Sequence, residues 1–189
     1  SSLLEDSHYQ PFAGVYSTYM IPYISDKYDR LSMLSNAIKA VYASVFYRSS
    51  KDYMTATSNV IDQEKMAIIL QEVVGKQHDT RFYPVISGVA RSINYYPIGD
   101  EKAEEGTVNL ALGLGKYIVD GGQSLRVSPA HPNQVLQMSE MEMALRDTQT
   151  HFLALDMAKM ENGVLDFQKD DGFNLRKWSV RDAEPDGTL

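Results

Sequence analysis

The chain has 189 residues, 43 % of them hydrophobic, and a formal net charge of −7. That length is enough for one domain or two small lobes with a real core. The acidic balance disfavours non-specific binding to nucleic acid or anionic membrane, and the absence of cysteine removes disulfides, thiolate metal sites and thiol nucleophiles.

The opening "SSLLEDSHYQ" lacks the basic and apolar regions of a signal peptide. No apolar run approaches the roughly 20 residues that span a bilayer. With the absence of cysteine and the acidic charge, these features give the expectation of a cytoplasmic protein with no membrane or nucleic-acid partner. The chain starts without Met and reads as a piece of something longer. Residues 1–26 are mixed and loop-like, with Pro11, Gly14 and Pro22. Their hydroxyls, carboxylates and glycine suit either a phosphate-wrapping loop or a capped helix start.

From Asp29, Leu31, Leu34, Ile38, Val41, Tyr42, Val45 and Phe46 recur at spacings of three and four, predicting one helix face to about Tyr47. "SSKDYMTAT" predicts a second helical piece. "KMAIILQEVVG" (65–75) is short, β-branched and closed by Gly75, so it reads as a strand. Gln71 and Glu72 at its end either face a ligand or mark the solvent end of an edge strand. "FYPVISGVARS" (82–92) is a second strand candidate, in which Gly88 signals a bulge or a close backbone approach. "GTVNLALGLG" (106–115) is a third. "NQVLQMSEMEMALRDTQTHFLALDM" looks helical in its first half, and the tail predicts one or two short strands. Helices first and strands after favour an α+β fold in two unequal lobes.

"ALGLGKYIVDGG" (111–122) fails the common phosphate-loop templates. Leu110 stands where a Walker loop needs Gly, Tyr117 follows Lys116, and Ile118 replaces the third dinucleotide Gly. On pattern alone it is a tight strand-to-helix turn, and Asp120 with Gly121 and Gly122 is either a metal carboxylate or a simple turn. The four histidines are scattered, with no metal-ligand spacing and no nucleophile–base pair.

Taken in order, "SSLLEDSHYQPFAG", "EKMAIILQEVVG", "FYPVISGVARSINYYP" and "GTVNLALGLGKYIVDGG" resemble the nucleotide-binding domain of pyruvate phosphate dikinase and phosphoenolpyruvate synthase, over most of residues 1–128. No one motif is specific, but four in this order are. The resemblance implies an ATP-grasp fold holding ATP and Mg between α+β lobes. Residues 1–59 would be a helical part with the end of the N-terminal lobe, and residues 60–189 the strand-rich lobe with the nucleotide and metal side. It places the catalytic Lys and Arg upstream of Ser1, so no catalytic residue falls within the chain.

By the same resemblance, Phe12, Ala13 and Gly14 match the family's "FAG" loop over the phosphates. Gln71, Glu72 and Val74 lie beside the adenine. Gly113 and Gly115 belong to the nucleotide-side turn, which shifts that turn from a plain structural one towards the cleft. Arg126 is the downstream cation for a phosphate, and Glu105 with Asp120 are the metal carboxylates. Lys116 and Asp120 depart from the glutamate and glutamine usual there. The implied partners are a carrier-histidine domain and a pyruvate-binding barrel of the same full-length protein. Alternatives are a dikinase acting on an antibiotic or a glucan, or a non-catalytic binding module.

Overall fold

Asp26 starts the first helix because its carboxylate accepts the N–H groups of Tyr28 and Asp29 at 2.8 and 2.9 Å, satisfying two donors that have no intrahelical partner. The computed structural model describes residues 14, 16–56, 65–158 and 174–189. Helix α1 runs Lys27–Ser44 and α2 runs Arg48–Ala56. The described part of residues 1–73, with Asn174, forms one unit, and Val74–Ala158 with Leu175–Leu189 forms the second.

In the first unit, the stripe of large residues that the sequence advertises is only partly buried: Val45, just past α1, is buried, and Leu34, Ile38 and Val41 are half-buried. Leu31, Tyr42 and Phe46 are exposed, whereas Met33, Ala37, Ala40 and Ser44 are buried. Small residues win that face because they let the preceding segment approach closely. Ser44 Oγ accepts Ser17 N–H at 3.2 Å and donates to the Val41 carbonyl at 2.7 Å. Met33 and Ala37 pack with Tyr19, Ile21 and Ile24, while Tyr16, Val45 and Met54 form a second cluster with Tyr53 and Met66. The helix prediction for "SSKDYMTAT" is met by α2.

Residues 65–75, expected as a strand, form no named strand; Met66 alone makes a bridge. β propensity describes fit to a pleated, partly buried surface. Here Ile69 and Leu70 are largely exposed, and the run joins no ladder.

The second unit carries seven antiparallel strands: β1 Lys76–His78, β2 Arg81–Tyr83, β3 Ser87–Arg91, β4 Thr107–Ala111, β5 Leu125–Val127, β6 His151–Asp156 and β7 Leu175–Ser179. They make two sheets, ordered β1-β2-β6-β7 and β3-β4-β5. "FYPVISGVARS" therefore supplies two strands rather than one. Pro84 has no N–H for a ladder and ends the first of them. Gly88 pairs with Leu110, and a Cβ on it would lie 2.9 Å from the Leu110 side chain, the close approach its position predicts. Two short helices, α3 Lys116–Val119 and α4 Met141–Asp147, and 3₁₀ turns at Ala103–Glu105, Leu136–Met138 and Val180–Ala183 complete the unit. The mixture of helices and antiparallel sheets is α+β.

The core of this unit is Tyr83, Phe152, Ala154 and Ala183, with Leu112, Trp178 and Val180 against it. The Tyr83 and Phe152 rings meet at 4.7 Å and 52°, a tilted aromatic pair. Asp186 in the tail accepts from Arg81 Nη2 at 2.8 Å and from the Tyr83 hydroxyl at 2.6 Å, tying the chain end to β2. The Arg81 guanidinium holds the Asp186 carboxyl below the usual carboxylate range. Burial, reinforced by Asp186, pushes the Tyr83 phenol up. No helix among the described residues is long and apolar enough to cross a membrane.

Candidate functional site

Three segments of the first unit enclose a cavity of about 370 Å³. One wall is residues 14–21, including Tyr16, Tyr19 and Ile21. The second is the α1 stripe of Leu34, Ile38 and Val41. The third is the run Met66–Gln71. The volume lies within the usual range of small-molecule sites, and a mostly apolar lining with a few polar groups is their ordinary chemistry. The planar face of a nucleobase suits such walls. The polar groups offered are Ser17, Thr18, the Gly14 backbone and the Gln71 amide.

Two of the residues singled out by resemblance therefore come together here: Gly14 and Gln71 line the same cavity. Gly14 has φ +89, and nothing stands within 4 Å of where a Cβ would be, so its glycine serves the backbone turn. Phe12 and Ala13 lie outside the described residues. Glu72 follows Gln71 and is exposed, and Val74, in the second unit, is 80 % exposed. The α1 wall is the part of the cavity lining that sequence reasoning did not single out. Its signal was present, because Leu34, Ile38 and Val41 belong to the helical stripe, but that stripe reads as core.

The remaining candidates stand in the second unit, each with its own partner. The glycine turn after β4 has the predicted form of strand, turn and short helix. Gly113 has φ +86, and a Cβ there would lie 2.7 Å from the Leu153 carbonyl. Its N–H bonds the Pro84 carbonyl at 3.2 Å, its carbonyl accepts from Ser87 Oγ at 2.6 Å, and Leu114 N–H bonds the Leu153 carbonyl at 2.9 Å. The turn is thus the joint between the two sheets. Gly115, with φ −59 and only ordinary contact with Ser87 at 3.6 Å for an added Cβ, carries no such constraint.

Arg126 on β5 is committed internally. Its guanidinium donates to Glu101, to Asn94 Oδ1 at 3.0 Å and to the Tyr96 carbonyl at 3.2 Å. Asn94 Nδ2 in turn donates to Glu101 at 2.9 Å, and both are nearly fully buried. The guanidinium drives the Glu101 carboxyl down to about 2, assisted by the N–H of Ile98 and by Asn94.

The expected joint metal site of Glu105 and Asp120 is not assembled. Glu105 precedes β4 and pairs with His131 at 3.3 Å, while Asp120 follows α3, beyond the other end of β4, and pairs with Lys116 at 2.9 Å. The β4–β5 register, Val108 to Val127 and Leu110 to Leu125, holds the two ends of the strand apart. Among the described residues no three His, Asp or Glu side chains gather as a metal site.

No curated protein and no solved structure matches the chain. A family model does, and it extends the motif-level likeness of residues 1–128 into the C-terminal part: the model for the AMP/ATP-binding domain of pyruvate phosphate dikinase matches residues 1–181. The chain belongs to the pyruvate phosphate dikinase AMP/ATP-binding domain family.

Proposed function

We propose that the cavity of the first unit holds the base of ATP or AMP, in a domain of the ATP-grasp type. One observation carries this reading: Gly14, from the loop matched to the phosphate side, and Gln71, from the run matched to the adenine side, line one cavity of nucleobase-compatible chemistry. The base packs between Tyr16 and Tyr19 on one side and Ile38 and Val41 on another, and Gln71 offers a donor and an acceptor to its edge. By the resemblance, the loop to which Gly14 belongs lies over the phosphates.

In this reading the protein is the ATP-binding portion of a phosphoenolpyruvate synthase-like or pyruvate phosphate dikinase-like phosphotransferase. A phosphoryl group passes from ATP to a histidine on a carrier domain and from there to pyruvate on a barrel domain. The chain's own contribution is positioning and charge neutralisation. No step is assigned to a protein-held metal. A second reading, a nucleotide-binding module without catalysis, is favoured by the internal pairing of Arg126 with Glu101 and of Lys116 with Asp120.

Titration calorimetry of the full chain with ATP and with AMP tests the site. Ile38→Trp, which fills the cavity from a half-buried position, should weaken binding at least tenfold while the melting temperature stays within about 2 °C. Gln71→Ala should weaken binding with less effect on stability still. Binding untouched by both variants removes the cavity from the reading. ATP hydrolysis well above a buffer blank would dismiss the non-catalytic alternative.

A further inference from the structure

Helix α4 has no buried residue. At seven residues it is far too short to persist on propensity alone, and the fold spends support on it. Gln137 accepts the Arg126 N–H and donates to the Ser124 carbonyl, both at 2.8 Å, pinning the 3₁₀ turn Leu136–Met138 to β5. That turn packs against α4. Gln123 Nε2 donates to the Arg146 carbonyl at 2.8 Å near the helix end. The result is a held surface that shows apolar side chains to solvent: Met138, Met141 and Leu145 are 66, 78 and 76 % exposed, with Leu136 beside them.

The rim of this patch carries an excess of negative charge. Glu140 and Glu142 are exposed and make no ion pair among the described residues. Arg146, the nearby cation, is bound to both oxygens of Asp147 at 2.8 and 2.9 Å. Met141 and Leu145 stand four apart and form one helical stripe, and methionine adapts its shape to a partner at low cost.

We propose that the Leu136, Met138, Met141 and Leu145 face is a docking surface for a basic amphipathic helix of a partner protein or domain. The apolar stripe of such a helix covers the methionines, and its Lys or Arg flanks meet Glu140 and Glu142. The same rim argues against two other occupants. An anionic membrane would be repelled. A second copy docking by the same patch would set Glu140 and Glu142 against themselves.

The probe is a fluorescent 15-residue Leu/Lys amphipathic helical peptide, with a matched Leu/Glu peptide, titrated with the full chain at low salt and read by anisotropy. The basic peptide should bind at least tenfold tighter than the acidic one. Met141→Ser with Leu145→Ser should cost about tenfold. Glu140→Gln with Glu142→Gln, a change without apolar loss, should also weaken binding and flatten its salt dependence, whereas Asp52→Asn on α2 should change nothing. Equal binding of the two peptides overturns the proposal, as does wild-type affinity in the serine variant or an equal loss in Asp52→Asn. Stronger binding to phosphatidylglycerol vesicles than to the peptide, or a dimer abolished by Leu145→Ser, also overturns it.

Discussion

Arg126 grips Glu101 with two nitrogens, Nη2 to Oε2 at 2.7 Å and Nη1 to Oε1 at 3.3 Å. The pair sits under the 94–101 loop, with Glu101 also accepting the Ile98 N–H at 3.0 Å. Because the folded-state pKa of Glu101 is depressed to about 2, its stabilisation is complete above the unfolded carboxylate value and is lost as pH falls towards 2. With Arg126 partly open to water, about 1–2 kcal/mol is at stake. Urea midpoints of the wild type and of Glu101→Gln should differ at pH 7, the gap should begin to narrow below the ordinary carboxylate range, and the two should converge only as pH falls to about 2. A gap that stays constant with pH would mean that the carboxylate charge contributes nothing.

Tyr83, fully buried, donates to Asp186 and shares a 2.9 Å hydrogen bond with Thr188. Tyr83→Phe should cost about 1 kcal/mol. Asp186→Ala, which also strips Arg81 of its bidentate partner, should cost about 2–3 kcal/mol. The double variant should cost less than the sum, since both singles break the same bond. Additive losses in chemical denaturation would show that the tail is held elsewhere.

Gly113 and Gly115 should respond oppositely to one methyl group. Gly113→Ala forces a positive φ on an L side chain and drives its Cβ to 2.7 Å from a backbone oxygen, so a loss above about 2 kcal/mol is expected. Gly115→Ala meets only Ser87 Cβ at 3.6 Å and should stay within about 1 kcal/mol. Thermal melts of the two variants decide it, and equal melting temperatures would remove the joint role of the turn.

The legible parts of the fold were those with local causes. Asp26 and the periodic run after it announce α1, and "LGLGK" announces strand, turn and helix. Which face of α1 is buried was not legible, because Ala37, Ala40 and Ser44 win by allowing close approach rather than by hydrophobicity. Residues 65–75 have strand composition, yet a strand also needs a ladder partner, which composition does not encode. Of the candidate cavity's lining, Gly14 and Gln71 were singled out in the sequence by their place in an ordered set of motifs. The α1 wall was not, since a lining stripe and a core stripe have the same 3.6-residue period. Arg126 read as a free cation because Glu101, 25 positions away, is brought to it only by the fold.

The Lys116–Asp120 pair is an exposed i,i+4 contact, 31 and 49 % exposed at its side chains. Such pairs contribute about 0.3–0.5 kcal/mol, so Asp120→Ala should barely shift the melting temperature. Its effect on nucleotide binding is more informative. If Asp120 and Glu105 together held a metal, removing either would erase the Mg²⁺ dependence of ATP affinity. They sit at opposite ends of β4, and the Glu105 carboxylate is engaged by His131 and by the Lys102 N–H at 2.8 Å. Asp120→Ala and Glu105→Gln should therefore each leave the ratio of ATP affinities with and without Mg²⁺ within about twofold, measured by calorimetry on the full chain. A collapse of that ratio in both variants, with stability unchanged, would show that the two carboxylates converge when nucleotide binds and would restore them as metal ligands.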